Sequence, residues 1–265
     1  MKRLALMVAM LLALAPRPAA AERILALTPH ACEILFAIGA GGDVVGAVDY
    51  CDYPKAARLL PRVGSYAGIN VEAALRLRPD MAIVMNEQVP GVDRLRALGV
   101  RVLASNPENL EEVFADIQRI GEAVGRGPAA ARLVSGLRAR FVRLRRERAR
   151  PPVRAFYELW GSPLMTAGGR SFITDLMRDA GLDNVFAGTS AETVRVNVES
   201  VLRAHPSLII VPLEHRSLAA RRAFWRRWLP KARVVGVNPD LLHRPGPRLL
   251  DGLEALVHAA EEARH

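Results

Sequence analysis

Apolar and polar positions divide the chain into short apolar runs separated by amphipathic stretches, and one of these stretches is much longer than the rest. Between Gly127 and Pro151-Pro152, Leu133, Leu137, Phe141 and Leu144 recur every three or four residues, while Arg138, Arg140, Arg143, Arg145, Arg146, Arg148 and Arg150 fill the other faces. That spacing predicts one helix over 128–150 with a narrow buried stripe. Pro128 suits its first position, where no amide donor is needed, and Pro151-Pro152 forbids its continuation. At about 1.5 Å per residue the helix is roughly 33 Å long, enough to cross a small domain.

A shared pattern flanks this rod on both sides. Asn70-Val71-Glu72, Leu75-Arg76 and Pro79 lead into the apolar run 81–85, and Asn197-Val198-Glu199, Leu202-Arg203 and Pro206 lead into 208–211. The copies lie 127 residues apart, Glu72 matching Glu199. Further strand-like runs at 23–28, 44–48, 100–104, 153–159 and 234–237 alternate with helical stretches at 29–38, 92–98, 110–124, 172–181, 218–229 and 248–263. Such alternation predicts an α/β fold of two lobes, each with a parallel sheet flanked by helices, joined by one long interlobe helix. The lobes are expected at 22–127 and 151–265, with the helix at 128–150. Ligands of such sheets bind beyond the carboxyl ends of the strands. The loops 49–54, 65–68, 85–89, 160–163 and 238–245 are therefore the pocket candidates.

Residues 1–21 form a separate segment. Met1-Lys2-Arg3, an apolar run from Leu4 to Ala15 and the small residues Ala19-Ala20-Ala21 have the form of a cleavable secretory signal peptide. The run is shorter than the roughly 20 residues a spanning helix needs, and no Cys follows the cleavage site to carry a lipid. A soluble protein outside the cytoplasm is expected. Loss of Lys2, Arg3 and Arg17 would lower the net charge from +10 to about +7. Export removes nucleic acid as a partner, and the arginines read as a solvated helix face. Apolar residues at 51% are ample for packed cores, which excludes a disordered chain. Cys32 opens a predicted helix and Cys51 follows a strand; an oxidising compartment permits a bridge between them, and the sequence leaves it open.

No enzyme motif is present. Gly39 to Gly42 superficially matches a dinucleotide fingerprint, but the order is helix then strand, so these glycines read as a helix terminator. There is no nucleophile elbow, no phosphate loop and no paired metal-ligating histidine. His30, His205, His215, His258 and His265 read as surface or capping residues, whereas His243 falls in a pocket loop. Tyr50, Tyr66 and Trp160 follow predicted strands, where together they would wall a site for a flat ligand. Trp225 and Trp228, three apart on a helix, read as packing on their own sheet. Glu72 and Glu199 each follow a capping Asn, suit the helix dipole and have Arg76 and Arg203 four residues on. One acid at the same place in each lobe is also what two-point docking would need.

Taken together, Leu27 to Gly39, Val44 to Pro54, Pro61 to Tyr66, Asn70-Val71-Glu72 with Leu77-Arg78-Pro79-Asp80, and Leu164 to Phe172 resemble the periplasmic substrate-binding proteins of ABC importers for cobalamin, haem and ferric siderophores. Asp49 to Pro54 and the Arg-Pro-Gly-Pro-Arg stretch at 244–248 look most like the cobalamin-binding branch. The resemblance spans the whole chain after residue 21. It implies a non-catalytic, helical-backbone periplasmic binding protein, a monomer without a cofactor, that captures a corrinoid, cobalamin foremost, or alternatively haem or a ferric siderophore. Tyr50, Tyr66, Trp160, Asp240 and Arg244 fall on or beside ligand-lining positions. His243 and Tyr50 are the candidate axial ligands for a haem or iron chelate. Glu72 and Glu199 fall on positions that dock onto permease arginines. Thr193, Tyr66 and Met85 stand where the family carries an aromatic, a Trp and an aromatic, so the pocket wall is thinner.

Overall fold

The computed structural model of the protein describes residues 22–65, 67–148, 150–214 and 217–264. The proposed signal peptide, Tyr66, His215 and His265 lie outside the described residues.

The first sheet is ordered β4-β3-β2-β1-β5-β6. Its strands are β1 (Ile24–Ala26), β2 (Val44–Val48), β3 (Arg62–Ser65), β4 (Gly68–Ile69), β5 (Met81–Val84) and β6 (Arg101–Ala104). All neighbours run parallel except β3 and β4. Every residue of β1 and β5 is buried, as befits strands covered on both faces. Helices α1 (Pro29–Ala37), α2 (Val71–Arg76), α3 (Val92–Ala97) and α4 (Leu110–Ala123) follow β1, β4, β5 and β6. Thr28 caps α1 by accepting from the Ala31 amide at 3.2 Å, and Gly39, at φ +79°, lies just past its end. The glycine run therefore ends a helix.

The second sheet joins β7 (Val153–Gly161), β8 (Leu164–Ala167), β9 (Leu182–Asn184), β10 (Thr193–Arg195), β11 (Leu208–Pro212) and β12 (Arg233–Val237). Strands β9, β7, β11 and β12 are parallel, whereas β8 folds back on β7 and β10 on β8, both antiparallel. Both sheets are thus mixed rather than purely parallel. The antiparallel strands are two to four residues long, too short to leave an alternating pattern in the sequence.

The rod is α5 (Gly127–Glu147), one residue earlier at its start and three shorter at its end than 128–150. Arg148 is already extended (ψ 145°), three residues ahead of the first proline. Ala130, Leu137 and Leu144 are buried, and Leu133 and Phe141 pack beside them. The helix lies against α4 on one side and α9 (Leu249–Glu262) on the other. Arg138, Arg143, Arg145 and Arg146 stay exposed, as a solvated face requires, while Arg140 is half-buried; several of these arginines also form ion pairs. Arg140 reaches Asp251 at 2.5 Å and also Glu254, Arg138 reaches Glu111 at 2.6 Å, and Arg145 reaches Asp179 at 3.3 Å. One apolar core consequently runs from Ile24 and Ala26 through α4 and α5 to Ala155, Tyr157 and α9.

Helices α6 (Phe172–Asp179), α7 (Val198–Ala204) and α8 (Leu218–Trp228) complete the second lobe. On α8, Trp225 is fully buried against Phe156, but Trp228 is 44% exposed beneath the Arg227 guanidinium. At three residues apart the two indoles diverge by about 60° around the axis, so only one reaches the sheet. No helix among the described residues is long and apolar enough to cross a membrane.

Candidate functional site: a two-chambered cleft at the strand ends

Two adjoining cavities, about 470 and 280 Å³, open where the carboxyl ends of the two sheets face each other. Tyr50 and Asp52 come from the loop after β2, Met85 from the end of β5, Leu213 and Glu214 from beyond β11, and Asn238 to Arg244 from beyond β12. Pro29 and His30, directly after β1, and Phe172 and Thr193, near the antiparallel strands, add to the smaller chamber. Ligand sites of doubly wound sheets occupy this position. A further hollow of about 590 Å³ lies among Arg148, Pro152, Gly181 and Asp183, at the amino ends of β7 and β9. It is therefore on the wrong side of the sheet for such a site.

His243 and Arg244 line both chambers. Asn238 accepts from the Asp240 amide at 3.0 Å, starting the short turn that aims these side chains. Arg244, only 9% exposed, meets Asp52 at 2.6 Å, Asp240 at 2.8 Å and Glu33 at 3.4 Å. Burial alone would lower the Arg244 pKa, but the hydrogen bond to Asp52 and the charges of Asp240, Asp52 and Glu33 raise it. Burial likewise pushes the Asp52 carboxyl up, yet Arg244, with help from Arg58, brings it below the usual carboxylate range. The site is thus a fixed pattern of opposite charges. The Tyr157 hydroxyl and His243 Nε2 share a hydrogen bond at 2.9 Å, and His243 Nδ1 lies 4.0 Å from Glu214.

Tyr50 is 60% exposed at the rim and holds φ +65°, a backbone state uncommon for an aromatic residue. The next residue, Cys51, is bonded to Cys32 across a Cα separation of 6.0 Å, which closes the question the sequence leaves open. Trp160 is not among the residues lining either chamber. It sits half exposed at the end of β7, and its indole N–H donates to the Ser162 carbonyl at 2.9 Å. The three aromatics therefore contribute one described residue, Tyr50, to the chamber walls. Thr193 and Met85 line the smaller chamber.

Glu72 and Glu199 occupy equivalent exposed positions. Asn70 caps α2 by accepting from the Ala73 amide at 3.0 Å, and Asn197 caps α7 by accepting from Ser200 at 2.8 Å. The expected pairing with Arg76 and Arg203 is not what forms. Glu72 pairs with Arg94 on α3 at 3.0 Å, and Arg203 turns to the Ser200 hydroxyl at 3.4 Å. Helices of six and seven residues leave little rigid frame for an i,i+4 pair, and α3 brings a nearer cation.

His30 is not a surface residue. It is buried, with Nε2 2.7 Å from the Ser105 hydroxyl, which donates to Asp116 at 2.5 Å. Burial lowers its pKa to about 4 against the pull of Asp116 and the Ser105 carbonyl. Pattern reading also misses Asp52, Glu33 and Arg248. Their partners lie up to 215 residues away, so only the fold brings them together.

Residues 24–221 match the family model described as periplasmic binding protein. The chain belongs to the periplasmic binding protein family. It is accordingly a binding protein and not an enzyme. Among relatives, the vitamin B12-binding protein of Photorhabdus laumondii is 30% identical, the alignment covering 90% of this periplasmic binding protein and 87% of the relative. The vitamin B12-binding protein of Yersinia pseudotuberculosis is 32% identical over 92% of this chain and 88% of its own. Of solved structures, the periplasmic vitamin B12 binding protein BtuF of Vibrio cholerae superposes with a TM-score of 0.80 at 31% identity, covering 92% of this chain and 98% of that one. The periplasmic heme-binding protein BhuT, in complex with two hemes, superposes with a TM-score of 0.83 at 25% identity, covering 92% and 99%. The two-lobed α/β architecture joined by one long helix is thus shared with solved binding proteins.

Proposed function

We propose that this periplasmic binding protein captures a corrinoid, cobalamin foremost, and delivers it to the permease of an ABC importer. The carrying observation is that relatives named for vitamin B12 align over nine-tenths of the chain. The corrinoid would span both chambers, with Tyr50 at one face of the ring and Asp240 and Arg244 answering its side amides. The reading keeps Tyr66 and Trp160 as further wall residues. Calorimetric titration with cyanocobalamin should give one-to-one binding near nanomolar Kd; no heat at about 100 μM ligand would eliminate this ligand.

Haem is the second reading, favoured by the likeness to BhuT. An axial bond from His243 Nε2 would have to displace the Tyr157 hydroxyl, and a bond from Nδ1 would have to fit beside Glu214. A shifted Soret band on adding haemin, lost in His243→Ala or Tyr50→Phe, would select haem instead.

The rest of the proposal concerns delivery. Residues 1–21 act as the cleaved export signal, the mature protein works in the periplasm as a monomer, and its lobes are 22–127 and 151–265 about the helix. Glu72 and Glu199 dock onto permease arginines, one from each lobe. An exposed pair such as Glu72–Arg94 is worth about 0–1 kcal/mol, so exchanging Arg94 for a permease arginine costs little. Reversing both charges, Glu72→Arg with Glu199→Arg, should abolish uptake while leaving ligand affinity intact. Normal uptake by that variant would remove the docking role.

A further inference from the structure

Arg244 borders both chambers, but part of what holds it lies behind the cleft. Glu33 sits on α1 of the first lobe, 3% exposed, between Cys32 and Ile34, which are both fully buried. A carboxylate taken this far from water is tolerated only when its oxygens are answered by charge and hydrogen bonds. Here they are. Its Oε2 accepts from Arg248 Nε at 2.9 Å, and its Oε1 accepts from Arg248 Nη2 at 2.5 Å and from Arg244 Nη1 at 3.4 Å. The Arg248 contact is the two-point fork that fixes a guanidinium in orientation as well as position. Both arginines belong to the second lobe, so the cluster crosses between the lobes. The Arg248 guanidinium also lies 3.9 Å from the ring centroid of Tyr53.

The acids are themselves held. Cys32 precedes Glu33 and Cys51 precedes Asp52, so the disulfide joins the chain beside one acid to the chain beside the other. Arg244 therefore meets the first lobe through two carboxylates set on one covalently braced block, and its own lobe through Asp240. Glu33 and Arg248 line neither chamber.

We propose that Glu33 and Arg248 are positioning residues for ligand capture: this buried pair fixes the direction in which Arg244 presents its guanidinium to the cleft. Removal of the Glu33 charge leaves Arg244 and Arg248 side by side with only Asp52 and Asp240 to answer them. Arg244 then has several arrangements to choose from, and binding must first select one. The ligand used in the test rests on the corrinoid reading above; the positioning role does not.

Two measurements test it. Calorimetry with cyanocobalamin on the intact secreted protein should show Glu33→Gln weakening binding ~10-fold, yet adding less than about twofold in an Arg244→Gln background, the non-additivity expected of residues that act as one unit. Equal losses in both backgrounds, or no loss in the wild-type background, would overturn the proposal. Arg248→Gln stands in if Glu33→Gln does not fold and should behave alike. The second measurement uses no ligand: amide hydrogen exchange in 49–54 and 238–246 should quicken in either variant while α4 and α5 stay as protected as before. Unchanged exchange in those loops would equally overturn it. Wild-type protein that ignores cyanocobalamin sinks the corrinoid reading alone, and the exchange measurement then decides the positioning role.

Discussion

His30 stays neutral down to a pH of about 4, and this sets how the protein responds to acid. An unfolded histidine takes up its proton near 6.5, so between about 6.5 and 4 the unfolded chain binds more protons than the folded one. Stability therefore falls with pH across that window, by about 3 kcal/mol for a shift of this size. Asp52 acts lower down. Its folded pKa is depressed, so its contribution is present above the ordinary carboxylate value of 3.8 and disappears only as the pH falls through its lower folded value. Urea unfolding at pH 7.5, 5.5 and 4.5 should show the loss in wild type and a flatter profile in His30→Gln; identical profiles would show that His30 is not the group responsible. Single residues were legible where the signal is local. Asn70 and Asn197 cap helices as their positions suggest. His30 was not legible, because its partners Ser105 and Asp116 are 75 or more residues away. Glu33 reads as one polar position on an apolar helix until the arginines of the other lobe are brought against it.

Among elements, the contact between α4 and α5 is the tightest constraint on the rod. A Cβ built on Gly121 would come within 2.3 Å of the Ala130 Cβ, so the two helices approach as closely as a glycine allows. Gly121→Ala should destabilise the protein by about 1–3 kcal/mol, because a packed crossing cannot absorb an extra methyl without shifting. Adding Ala130→Gly should recover much of that loss in thermal unfolding; additive losses instead would place the strain elsewhere. The rod itself was legible from its stripe and its flanking prolines, β2 matched its apolar run to the residue, and β11 runs one residue past its own. Strands β3, β4, β8, β9 and β10 were not. They are two to four residues long and are defined by neighbours to which they pair, not by any periodicity of their own. Those neighbours carry Thr193 into the smaller chamber, so part of the site was hidden for the same reason.

For the whole molecule, the decisive feature is that the apolar interior does not stop at the lobe boundary. Strand residues of both sheets, α4, α5 and α9 belong to one continuous core, and Arg140 with Asp251 and Glu254 ties the rod to the last helix. A hinge needs a few residues free to absorb a large backbone change, and a packed core at that point resists it. Small-angle scattering should therefore give the same radius of gyration, within error, with and without cyanocobalamin. A clear contraction would mean that the lobes close as free bodies. The disulfide carries this picture out of the test tube. It closes a span of 19 residues, and a cross-link of that length constrains the unfolded ensemble by about 3 kcal/mol. Cytosolic thiols are kept reduced. Protein kept under reducing conditions would thus carry the rim segment with Tyr50 and Asp52 unstapled, and would be softer there than the bridged form.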